Sequence, residues 1–157
     1  MRRRGVALVV VVVLAAAGVG SWLALRSGDR REPTPRAYLT QVSSVCRGFA
    51  RLLAQVPGPS DLAAYGEVAS SLSQALPLMR AQSAAMESVA PRPRPLAPRL
   101  GRLFALSHRS LADLASALAA ARRRDLGGMG RGLVQSALLR AREHDLAVAI
   151  GIRCEIN

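Results

Sequence analysis

The sequence predicts an all-α protein: an N-terminal transmembrane helix followed by an antiparallel up-down-up-down four-helix bundle. Three observations lead there. Half of the 157 residues are apolar but only 3% are aromatic, and the apolar content is mostly Ala, Leu and Val. Ala and Leu are strong helix formers. Four stretches carry apolar residues at alternating steps of three and four, the period of a helix face. Between them stand clusters of Pro and Gly, which end helices. A chain of this length supports one domain with a core of its own.

The first element is the uncharged run "GVALVVVVVLAAAGVGSWLAL", residues 5–25, preceded by Arg2, Arg3 and Arg4. A span of about 20 apolar residues crosses a bilayer core. Basic residues stay on the cytoplasmic side, so the reading is a signal anchor at 1–25 with residues 26–157 outside the cytoplasm. Trp22 suits an interfacial position. The alternative is a cleaved signal peptide, with Val6 to Leu14 as its apolar core, cleavage near Ala17 and a secreted product. "GVGSWLAL" continues the apolar run past that site, which favours the anchor. Residues 26–36, "RSGDRREPTPR", read as a linker broken by Pro33 and Pro35.

The domain proper is expected at 37–157. Its first helix should run from about Arg36 to Val56 on the stripe Tyr38, Val42, Val45, Phe49, Leu52, Val56, with Leu39, Cys46 and Leu53 beside it. "PGP" at Pro57 to Pro59 stops it. The second should run from Ser60 to Val89, N-capped by Ser60. Its stripe is Leu62, Tyr65, Ala69, Leu72, Leu76, Met79, Ser83, Met86 and Ala90, and Pro77 lies inside it. Proline there removes a backbone donor, so a kink is expected. "APRPRPLAP" is a stiff, extended connection. The third helix, Leu96 to Arg124, has the cleanest stripe: Leu100, Phe104, Ser107, Leu111, Leu114, Leu118, Ala121. "DLGGMGRG" is then expected to turn the chain, because glycine relieves strain in turns. The fourth helix should span Leu133 to Ile152 with Val134, Leu138, Ala141, Val148 and Ile152 on one face, which Asp145 interrupts, and with Ala137, Leu139, Leu146 and Ile150 widening the apolar surface.

Cys46 and Cys154 are the two cysteines. An exported chain with two cysteines favours an intramolecular disulfide. In a closed four-helix ring the first and last helices are neighbours, so the two can meet. No CxxC pair is present, which removes the usual dithiol redox motif.

The sequence holds no reactive constellation of a familiar kind. His108 and His144 have no ligand partner at i+3 or i+4, and consecutive Glu143, His144 and Asp145 fan around a helix rather than converge. Metal and catalytic residues are therefore assigned as none, and no cofactor is expected. A bundle can hold haem through a single His or Tyr, for which Tyr38, Tyr65, His108 and His144 are the candidates. The glycines of "GGMGRG" lack the GxxxxGK[ST] pattern and do not follow a strand. No GxSxG is present.

Formal net charge is +12, and every basic residue is Arg. Two clusters stand out: Arg92, Arg94, Arg99 and Arg102, and Arg122, Arg123 and Arg124. Outside the cytoplasm they suit an anionic lipid surface or envelope polymer rather than nucleic acid. Solvated charge that keeps the domain soluble is the plainer reading.

The Arg-only N-terminus with its Val/Ala-rich span, "VCRGFARLL", "LPLMRAQSAAM", "RRRDL" and "GIRCEIN" together resemble small single-anchor helical proteins of high-GC actinobacteria. The resemblance covers most of the chain and implies location and fold. Such proteins are of unknown function, so it brings no site residues. The expected function is a non-enzymatic, membrane-anchored, extracytoplasmic helical bundle that engages another envelope protein or surface. The alternative is a secreted or anchored ligand-binding bundle for haem or a lipid.

Overall fold

The last helix begins on an aspartate cap and packs closely on its neighbour through Gly132, and this seam decides how the rest is arranged. The computed structural model describes residues 33–154. These form four helices: α1 (Pro35–Leu53), α2 (Tyr65–Ser88), α3 (Ala97–Arg122) and α4 (Leu126–Ile150). No strand occurs among the described residues. None of the described helices is long and apolar enough to cross a membrane, and the expected anchor at 5–25 lies outside the described residues.

Helix α1 starts inside the expected linker. Thr34 Oγ1 accepts a hydrogen bond from the Ala37 N–H at 3.2 Å, and Pro35 occupies the first helical position. Threonine cap followed by proline is a strong start signal, because proline's missing donor is an orphan there anyway. Tyr38, Val42, Ser43 and Cys46 are buried. Val45 and Phe49 are only half-buried and Leu52 is exposed, so the inward face is rotated towards Cys46 relative to the expected stripe.

Helix α2 does not begin at Ser60. Asp61 Oδ1 accepts from the Ala63 N–H at 2.8 Å, which holds a local turn. The Ser60 N–H and hydroxyl both donate to Glu67 Oε2, at 2.8 and 2.7 Å. Ser60 thus ties the incoming loop to the first turn of α2 instead of capping it. The helix continues through Pro77, which is exposed. Val68, Leu76, Ser83 and Met86 are its buried residues. The proline-rich connection is non-helical as expected, with Pro93 buried and the Leu96 and Ala97 N–H groups donating to Pro93 O.

Helix α3 follows its predicted stripe. Leu100, Phe104, Leu111, Leu114 and Ala121 are buried, and Ser107 and Leu118 are half-buried. Leu103, Ser110, Ala117 and Ala120 widen the buried surface on one flank. That flank meets α4, the most extensive helix interface, followed by α2 with α3 and α1 with α2.

The α3–α4 turn corrects two expectations. "GGMGRG" is not the turn; it lies in the first turns of α4. The chain reverses over Arg123 to Asp125, with Arg124 in the left-handed region at φ 57°. Asp125 Oδ1 caps α4 by accepting from the Gly128 N–H at 2.8 Å. Of these glycines, Gly132 is the one that packing against the α3 backbone requires. A Cβ at Gly132 would stand 2.8 Å from Asp113 O and 3.0 Å from Ala117 N, so the backbones are close enough that only glycine fits. One turn on, the Ser110 and Ser136 hydroxyls share a buried hydrogen bond of 3.0 Å across the same seam. The pairings of Gly132 with Ala117 and Ser136 with Ser110 run antiparallel.

The second correction concerns the face of α4. Met129, Gly132, Ser136 and Ile150 point inward. The expected core residues Val134, Leu138 and Val148 are 61%, 60% and 57% exposed, and Ala141 is exposed with them. The small face is buried because only small residues allow the close approach to α3. Ile152 is buried as expected, but beyond the helix end.

Gly151 closes α4 at φ 98°, a conformation that suits glycine. The Ile152 N–H donates back to Ala147 O at 2.9 Å. This reversal turns the tail onto α1. The Arg153 N–H donates to Ser43 Oγ at 3.0 Å, and Cys154 is disulfide-bonded to Cys46 with Cα atoms 5.1 Å apart. The expected disulfide is therefore present in the structure. It joins α1 to the end of α4 and the tail, since α1 and α4 do not share an extended interface.

Gly132 and Gly130 make opposite predictions. Gly132→Ala should lower the unfolding free energy by about 1 kcal/mol or more, because backbone must move to admit the methyl and this outweighs the gain in helix propensity. Nothing lies within 4 Å of a Cβ at Gly130. Gly130→Ala should raise stability by about 0.5–1 kcal/mol. Urea unfolding of the two variants checks both signs.

Candidate functional site

All four helices contribute to one cavity of about 230 Å³. Its apolar floor comes from Met79 and Met86 of α2 and Leu103, Phe104 and Leu111 of α3, with Ala50 and Leu53 of α1. The Cys46–Cys154 disulfide forms part of the wall. Gln82 Nε2 donates to Cys46 Sγ at 3.1 Å and so borders the bridge. The polar rim is Ser83, Ser107, Arg140, Glu143 and His144.

Glu143 and Arg140 reach this rim because the small face of α4 turns inward. Glu143 lies on that face, half-buried. Burial raises its carboxyl above the ordinary carboxylate range; the Arg140 charge and the Ser107 hydroxyl oppose this without cancelling it. Arg140 Nη1 lies 3.6 Å from Met79 Sδ, across the cavity wall from α2. Beside the rim, Glu87 Oε1 accepts from Ser83 Oγ at 3.0 Å and lies 2.6 Å from His108 Nε2. The chemistry available is that of an apolar pocket with a carboxyl, a guanidinium and an imidazole at its mouth. Among the described residues, no three His, Cys, Asp or Glu side chains converge on a metal-sized space.

The haem candidates do not converge. Only His144 lines the cavity. Tyr38 is buried in the cluster around Val42, Leu100 and Ile152, and Tyr65 packs on a separate cluster around Val68 and Met129. His108 is exposed and held by Glu87. The cavity, at about 230 Å³, is smaller than the roughly 300–1,000 Å³ of ordinary ligand pockets.

The arginine clusters sit at opposite ends of α3. Arg94, Arg99, Arg102, Arg122, Arg123 and Arg124 are exposed. Arg92 is exposed too, but its side chain is partnered: the guanidinium lies 5.1 Å from the Phe104 ring centroid and Nη2 donates to Glu87 O at 2.7 Å. It also stands beside Tyr38, whose buried hydroxyl makes no hydrogen bond of ordinary geometry among the described residues. Burial raises the Tyr38 phenol, and the neighbouring Arg92 offsets part of that effect. Sequence reasoning missed the Arg140–Glu143 rim. The i, i+3 spacing of the pair was visible, but its inward orientation depends on which face of α4 packs.

No protein-family model, curated protein or solved structure matches this chain.

The raised Glu143 carboxyl has a definite sign. A group whose folded pKa exceeds its unfolded value favours the folded state below the unfolded pKa, and that contribution is lost as pH rises through the folded value. Glu143→Gln removes the ionisation. The variant should be more stable than the parent at neutral pH, with the difference vanishing towards pH ~4, the ordinary carboxylate range. Melting temperatures measured across that range check it.

Proposed function

We propose that this chain is an envelope-side interaction module: an up-down-up-down helical domain, closed by a disulfide and held at the membrane by residues 5–25. The outward apolar stripe of α4 carries the reading. Leu126, Val134, Leu138 and Val148 are each more than half exposed, while Leu133, Leu139 and Leu146 of the same helix are half-buried and Ile150 is buried. Contiguous exposed apolar surface on a folded domain marks interaction sites. The disulfide supports an oxidising compartment. The exposed arginines at both ends of α3 add attraction towards anionic envelope surfaces.

Two measurements test this together. In intact cells, external protease should digest residues 33–157 and leave the first residues protected. A photocrosslinker replacing Leu138 should trap protein in native membranes, whereas one replacing Arg109 on α3 should not. A cytoplasmic domain, or equal trapping at both positions, would sink the reading.

The cavity favours a second reading, in which the domain takes a small amphiphile. The Met/Phe/Leu floor suits a single alkyl chain, and the Arg140, Glu143 and His144 rim suits its polar head. Octanoate should raise the melting temperature of the parent protein. Ser107→Trp, which fills the mouth, should abolish that rise while leaving a cooperative transition. A parent protein indifferent to octanoate and to the corresponding alcohol and amine would remove this reading.

A further inference from the structure

We infer that α4 is a self-association helix whose partner is the α4 of a second copy, packed antiparallel about a two-fold axis at Leu138. This rests on the interaction-module reading and names its partner. The outward stripe of α4 runs Arg131, Val134, Leu138, Ala141, Asp145, Val148, at alternating steps of three and four. All six residues are exposed. Steps of this kind make a nearly straight seam along a helix, the geometry of antiparallel helix packing.

Charge complementarity selects the occupant. Arg131 and Asp145 each stand seven residues from Leu138, on opposite sides, about 10 Å away at ~1.5 Å per residue. An antiparallel copy centred on Leu138 sets Arg131 against the partner's Asp145 and Asp145 against the partner's Arg131. Leu138 meets its own counterpart, and Val134 faces Ala141 in both directions. A parallel copy would instead oppose Arg131 to Arg131 and Asp145 to Asp145. Within one chain, neither Arg131 nor Asp145 has a hydrogen-bond or ion-pair partner among the described residues. A lone acid in the middle of an apolar seam is costly to cover unless its covering surface brings a cation there. The sequence supplies that cation at the symmetric position of the same stripe.

The test uses the full chain in neutral detergent. Leu138→Cys should form an intermolecular disulfide with itself on mild oxidation. Val148→Cys should not, because its two copies are ~30 Å apart in the antiparallel arrangement and a disulfide needs Cα atoms within roughly 7 Å. Without added cysteines, sedimentation should show a dimer. Arg131→Asp should weaken it about tenfold or more, since both reciprocal pairs become repulsive. The exchanged double variant, Arg131→Asp with Asp145→Arg, should restore it. A monomeric parent, equal self-crosslinking at 138 and 148, or a dimer unmoved by charge reversal would overturn the inference. So would crosslinks from position 138 only to residues 1–32 of the same chain or only to a different protein; in the last case the interaction-module reading stands while self-association fails.

Discussion

The close approach of α3 and α4 is the constraint from which the remaining geometry follows. Asp113, Ala117 and Gly132 bring the two backbones together so tightly that no side chain larger than hydrogen fits at Gly132. The Ser110–Ser136 hydrogen bond sits on the same seam and fixes its register, because either hydroxyl buried without the other would carry an unmet polar group. With Gly132 and Ser136 turned inward, every other position on α4 is assigned. Met129 enters a small cluster with Val68, Ala120 and Ala121. Glu143 is placed beside Ser107, where burial raises its carboxyl. Val134, Leu138 and Val148 are sent outward.

The helix pairings form a series in which α1 packs on α2, α2 on α3 and α3 on α4. Such a series leaves α1 the least covered helix, and the tail makes up the difference. Gly151 turns the chain, Ile152 becomes buried with Tyr38 and Val42, Arg153 bonds Ser43 and Cys154 bonds Cys46. The disulfide closes a separation of 108 residues. On the chain-entropy account a loop of that order contributes about 4–5 kcal/mol, comparable with a large part of a small domain's stability. Cys154, just past the end of α4, is thus the covalent substitute for a long α1–α4 interface. It also walls the cavity, so closure of the fold and shape of the pocket depend on one bond.

What the sequence disclosed was decided by how far large apolar side chains report on burial. In α3 they report well: the Leu100 to Ala121 stripe faces inward, because α3 lies between α2 and α4 and buries a broad surface. In α1 the same rule was off by a small rotation, since the disulfide and Ser43 pull the Cys46 side inward. In α4 it failed for Val134, Leu138, Ala141 and Val148, though Ile150 and Ile152 are buried, because the face against α3 is chosen by closeness of approach and not by hydrophobic size. Glycines read as a turn lie inside the helix, where Gly132 makes the close contact with α3, and Asp125, unremarkable in sequence, was the cap. The cysteine pairing was legible from compartment and count. The Arg140–Glu143–His144 rim was not, because it exists only once four helices are in register.

Asp145 links the packing of α4 to the character of its outward face. Placed in a core stripe it was an anomaly, a carboxylate with nothing to compensate it. On an outward stripe it is an ordinary solvated acid, and its burial becomes conditional on what covers α4. Val134, Leu138 and Val148 would attract any apolar surface without discrimination. Arg131 and Asp145, two turns to either side of Leu138, penalise every covering surface that lacks charges of the opposite sign at those places. The apolar residues then supply the driving force for association, while the charged pair decides which surface qualifies. A surface that meets the condition at both places at once is the same helix running the other way.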